Sequence, residues 1–139
     1  MQVDHKRVWL IVGSMLLTFV AFRAYLHFSP NTDFNVGPYN IHHLYVGLLL
    51  ILLGGVPLAI FQGQGRALDL ATIVFGVGLS MALDEWVFLI TTDGTNASYL
   101  LPISFWGGAT MVGLAGAYTL ALYLCSPKKP KKNRQTTKD

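Results

Sequence analysis

Phe75-Gly76-Val77-Gly78-Leu79-Ser80-Met81-Ala82-Leu83-Asp84-Glu85 sets two adjacent carboxylates near the end of an apolar stretch, residues 68–91. That stretch shows no period-2 alternation and is about twice the length a barrel strand needs, so it reads as a helix. A helix crosses the hydrocarbon core of a bilayer with roughly 20 residues. Three further apolar stretches meet that length, at 8–28, 41–61 and 100–125. The expected fold class is therefore all-α: a polytopic membrane protein with an up-down bundle of four transmembrane helices. The connections at 29–40, 62–67 and 92–99 carry turn formers, including Ser29-Pro30-Asn31, Gly63-Gln64-Gly65 and Asp93-Gly94. They are too short to hold a further domain.

Composition agrees with this reading. Of the 139 residues 53% are hydrophobic and 12% charged, against about a quarter charged in a soluble domain. The net charge of +3 is uneven. Residues 126–139 hold six Lys/Arg and one Asp, leaving the first 125 residues with four basic and six acidic side chains. A four-helix domain over 1–125 and a disordered basic tail over 126–139 follow. A soluble enzyme, a disulfide scaffold with a single cysteine and a disordered chain are all excluded.

Lys and Arg mark the cytoplasmic side. Lys6, Arg7, Arg66 and the tail lie at one end of the predicted bundle, whereas the first and third loops carry only Asp33 and Asp93. Both termini are expected in the cytoplasm and the protein in the cell inner (plasma) membrane, with the first span an uncleaved signal anchor. The tail residues Lys128, Lys129, Lys131, Lys132 and Arg134 are expected to bind anionic lipid headgroups. They have no aromatic interleaving, so nucleic acid is not expected as a partner. The bilayer, a homo-oligomer or another membrane protein are the partners that fit.

Helices in lipid meet at small residues. Three strips are expected to pack: His43, Gly47, Leu50 and Gly54; Gly76, Ser80 and Asp84; and Ala109, Gly113 and Ala117. Trp86 and Trp106 are expected to cover the polar residues, and Tyr99 to join an interfacial aromatic belt. Pro57 is expected to bend the second helix and free the carbonyl of Leu53, while Pro102 sits harmlessly in a first turn.

Ionisable groups inside a span each cost about 2.5–3.5 kcal/mol at its centre and call for partners. Arg23, Asp84 and Glu85 lie well inside, His42 and His43 open the second span, and His27 ends the first. At 1.5 Å per residue all six fall in the outer half of the bundle. Arg23 and His27 share a face, and Asp84 points inward with Gly76 and Ser80. Glu85, turned by 100°, reaches a different neighbour.

Three readings stay open. Arg23 locks the helices by pairing with Asp84 or Glu85. Alternatively His42, His43, Asp84 and Glu85 hold a divalent metal (zinc, iron or manganese), imidazole and carboxylate being suitable ligands, and a bound water there would supply a nucleophile. In the third reading His43 works beside Asp84 with Arg23 and His27 in a proton-coupled carrier, which needs an oligomer to enclose a path. No catalytic residue can be assigned, and whether the chain is an enzyme stays open.

Ile41-His42-His43-Leu44-Tyr45-Val46-Gly47, taken with the Phe75–Glu85 motif, resembles small uncharacterised prokaryotic four-helix integral membrane proteins that couple an I-H-H…G helix to a G-x-G-L…D-E helix. The resemblance covers about a third of the chain and implies the fold, with no activity attached. More distantly the chain is similar to polytopic metal-dependent membrane hydrolases using intramembrane His and Asp, which have more spans and further His ligands.

Overall fold

The computed structural model describes residues 3–29, 35–36, 39–40 and 42–126. In chain order these form α1 (His5–Phe28), β1 (Asn35–Val36), β2 (Tyr39–Asn40), α2 (His43–Ile60), α3 (Arg66–Thr91), α4 (Asn96–Tyr99) and α5 (Pro102–Leu124). Four helices of 24, 18, 26 and 23 residues are long and apolar enough to cross a membrane. The expected tail beyond Ser126 lies outside the described residues, as do Pro30, Asn31, Asp33, Gly37 and Pro38 of the first connection.

Helix starts differ from the hydropathy bounds where local chemistry intervenes. α1 begins three residues early because the Asp4 side chain accepts from the backbone N–H groups of Lys6 and Arg7, which capping favours. α2 begins at His43, with His42 left outside as an extended N-cap residue. Pro102 occupies the start of α5 as expected. Pro57 stands inside α2, which continues to Ile60. The hairpin, pairing Asn35 with Asn40 and Val36 with Tyr39, and the one-turn helix α4 were not legible in the sequence.

α3 is the hub of the bundle, packing on α1, α2 and α5, and α1 also packs on α5. Its buried residues run from Leu68 to Phe88 and face all round, whereas α2 buries Gly47 and Gly54. Those two glycines set the α2–α3 approach. A Cβ on Gly47 would stand 2.7 Å from the Ala82 nitrogen and 2.8 Å from the Gly78 carbonyl oxygen. One on Gly54 would stand 2.5 Å from the Ala71 oxygen and the Phe75 nitrogen. Backbone meets backbone there, an approach that only a residue without a side chain permits. The Gly76, Ser80, Asp84 strip is likewise buried, Gly76 against Ile11 and Ser14 of α1.

The third expected strip is corrected. α5 turns Ser104, Gly108, Val112 and Gly116 inward. Ala109 is half-buried, and Gly113 and Ala117 are exposed. The two sets have the same spacing and sit one residue, or 100°, apart. Spacing alone could not choose between them; Ser104 and Gly108 win because Arg23 and Asp84 lie against them.

At one end of the bundle Lys6 Nζ lies 2.5 Å from Asp69, Arg7 donates to the Gly63 carbonyl, and His5 meets Tyr123 Oη at 3.0 Å. The starts of α1 and α3 and the end of α5 therefore share that end. The polar cluster lies toward the other.

Candidate functional site

Asp84 and Glu85 are each 2% exposed, though adjacent on α3. Their 100° separation sends them to different partners, Asp84 toward α1 and α5 and Glu85 toward α2.

Arg23 of α1 reaches Asp84 Oδ1 through Nε at 2.9 Å and Nη2 at 2.5 Å. Its remaining N–H groups donate to the Tyr99 carbonyl (3.1 Å), the Ser104 carbonyl (2.9 Å) and the Ser104 hydroxyl (3.2 Å). The guanidinium thus ties α1 to α3, α4 and α5. Aromatic rings enclose it: the Tyr99 centroid is 4.2 Å from Cζ, and those of Phe19 and Phe105 are 5.7 Å away, inside cation–π range. Tyr99 Oη donates to Asp84 Oδ2. Gly108 leaves the space, since a Cβ there would stand 2.2 Å from Asp84 Oδ1. Burial, then the Asp84 charge, pushes the Tyr99 phenol well above its ordinary range, so it remains a hydrogen-bond donor.

Glu85 does a different job. Its Oε2 accepts from the Leu44 N–H in the first turn of α2, and Oε1 lies 2.7 Å from His42 Nδ1. The His42 side chain makes no cap bond. A carboxylate from the neighbouring helix therefore caps α2, where the exposed N–H groups and the helix dipole favour negative charge. His43 stands between the acids, Nδ1 at 3.3 Å from Glu85 and Nε2 at 3.6 Å from Asp84. Nε2 is buried with no hydrogen-bond partner among the described residues. Phe22 and Tyr99 flank the ring at centroid distances of 5.6 and 5.5 Å.

Five of the six ionisable residues read from the sequence thus come together: Arg23, His42, His43, Asp84 and Glu85. His27 does not join them. It is exposed at the end of α1 against Phe28, one turn beyond Arg23 and past the cluster. Trp86 and Trp106 are 52% and 67% exposed and do not cover the site. Tyr99, at 5%, takes that place, because α4 folds it inward from the α3–α5 connection. Sequence reasoning missed Tyr99, Ser104, Gly108 and the Leu44 N–H. Ser104 and Gly108, one turn apart on α5, were the available signal.

The four expected metal ligands are neighbours, but Asp84 is directed to Arg23 and Tyr99, and Glu85 to Leu44 and His42. Among the described residues no group of three or more His, Cys, Asp or Glu is arranged to hold a metal ion. No family model matches the chain, and no curated protein and no solved structure shows significant similarity to it.

Proposed function

We propose that the chain is a small non-enzymatic subunit of the plasma (inner) membrane whose buried charges lock four crossing helices into one arrangement. The observation that carries this reading is Arg23: all three of its guanidinium nitrogens donate to partners within the bundle, Asp84, Tyr99 and Ser104, and its side chain is only 10% exposed. The test is a stability cycle at Arg23 and Asp84, developed in the Discussion.

Membrane placement follows the basic residues. With Lys6, Arg7 and Arg66 at one end of the bundle, that end and both termini are cytoplasmic. The cluster then lies beneath the outer leaflet and the basic tail on anionic lipid. Impermeant thiol labelling of Cys125, exposed past the end of α5, tests this: labelling should appear only after the membrane is opened.

A second copy of the chain is the proposed partner. Gly113 has open space around it, and it shares an exposed strip with Ala117; such strips let helices approach closely in lipid. A metal reading keeps one observation in its favour, the unpartnered Nε2 of His43 beside Asp84. Elemental analysis of purified protein, wild type against His43→Ala with Asp84→Ala, decides it; a metal that is stoichiometric in the first and lost in the second would replace the lock.

A further inference from the structure

The lock accounts for Arg23 and Asp84 but leaves one side of the cluster unspent. His43 Nε2 is buried without a hydrogen-bond partner among the described residues, a condition that normally marks a site where water enters. The group standing over it from the end of the bundle is Tyr99. Its ring meets His43 edge-on at 5.5 Å, its hydroxyl donates to Asp84, and its carbonyl accepts from Arg23.

Tyr99 is carried by a segment held largely by its own hydrogen bonds. Residues 93–99 are knotted internally: Asp93 Oδ1 accepts from the Thr95 N–H (3.1 Å) and hydroxyl (2.9 Å), and the Thr95 carbonyl accepts from the Ser98 hydroxyl (2.8 Å) and N–H (3.0 Å). α4 itself has four residues, far short of a helix stable alone, so its position depends on what Tyr99 grips. Within the knot, between Asp93 and Thr95, stands Gly94, whose φ of +75° lies in the left-handed region. Its N–H donates to the Thr92 hydroxyl (3.3 Å), and a Cβ there would meet only the tip of Leu89, at 3.9 Å. On the α5 side the knot ends at Leu101, extended just before Pro102.

We infer that residues 93–99 form a lid, held shut by the left-handed turn at Gly94, that seats Tyr99 on Asp84 and Arg23 when closed and admits water to the His43 imidazole when open. This goes beyond the lock: it gives the cluster a closed and an open state while Arg23 and Asp84 stay paired in both. The closed state needs left-handed backbone at residue 94, which an L-residue disfavours. Gly94→Ala therefore shifts the lid toward open without touching the cluster. Tyr99→Phe removes the hydroxyl grip and leaves the ring.

The experiment is carbethoxylation of histidines by diethyl pyrocarbonate in the full chain in detergent, read residue by residue by mass spectrometry. Exposed His27 serves as the internal reference, and far-UV circular dichroism checks that each variant is folded. In the wild type His43 should react at a tenth of the His27 rate or less. Gly94→Ala should raise the His43 rate about five- to thirtyfold, the factor left-handed backbone disfavour supplies, with His27 unchanged; Tyr99→Phe should raise it as well. The lid is refuted if His43 reacts as fast as His27 in the wild type, or if folded Gly94→Ala and Tyr99→Phe both keep the wild-type rate. A loss of helicity in Tyr99→Phe leaves Gly94→Ala to decide. The lock fails separately, by the stability cycle, so the two readings stand or fall apart.

Discussion

Removing Arg23 strands a carboxylate that is 2% exposed, and removing Asp84 strands a guanidinium whose side chain is 10% exposed. Breaking a buried pair from one side typically costs about 3–5 kcal/mol, because a desolvated charge remains. Arg23→Leu also takes the donor from the Tyr99 and Ser104 carbonyls. Removing both charges is different. In Arg23→Leu with Asp84→Asn the amide oxygen still accepts from Tyr99 and no buried charge remains, so the double variant should lose only about 1–3 kcal/mol, the cost of unmade hydrogen bonds. The coupling energy, the shortfall of the double below the sum of the singles, should then exceed about 2 kcal/mol. That is well above the average of about 0.6 kcal/mol seen for polar pairs in membrane helices. The assay is reversible unfolding in mixed micelles by SDS titration, followed by tryptophan fluorescence and circular dichroism. Singles that each cost under about 1 kcal/mol, or a double equal to their sum, would show that the pair does not lock the helices.

Glycine contacts separate cleanly. Gly54→Ala meets backbone at 2.5 Å and should cost about 1–3 kcal/mol, whereas Gly13→Ala on an exposed face of α1, with nothing within 4 Å, should be neutral or stabilising by about 0.5–1 kcal/mol; the same SDS titration reads both. Gly113→Leu should abolish cross-linked dimers in membranes while leaving monomer stability unchanged, and persistence of the dimer would move the interface elsewhere. The Asp93 carboxyl, held below its ordinary value by hydrogen bonds from Ser98 and then Thr95, favours the folded turn when ionised. That contribution is complete above about pH 4 and is lost as pH falls through the lowered value; faster amide exchange at Thr95 below that pH, absent in Asp93→Asn, is the check. The Tyr99 phenol is raised, burial being the main cause. It costs nothing below about pH 10, where the unfolded phenol is still neutral, and folding stability falls as pH rises beyond it. Tyr99→Phe should remove that alkaline loss in a pH-dependent melt.

Local pattern made much of this molecule legible. The four long helices follow from apolar run length, and the α2 side of the α2–α3 seam from Gly47 and Gly54, two turns apart on one face. The meeting of Arg23, Asp84, Glu85, His42 and His43 follows from equal depth, since depth along a helix is arithmetic on residue number. What escaped was rotation and capping of one helix by another. Ala109–Gly113–Ala117 and Ser104–Gly108–Val112–Gly116 fit equally well on one helix, and only the bulk of the Arg23–Asp84 pair arriving from α1 and α3 selects the second.

The amino-acid order by itself therefore determined which segments are helical, how long they are and which charged groups share a level, because these depend on residues near in sequence. Tertiary structure alone decided which acid pairs with which base, that Glu85 caps α2, and that Tyr99 rather than a tryptophan closes the cluster. Those choices depend on how four helices are turned about their own axes and on how a ten-residue connection folds back, and no single segment contains that information.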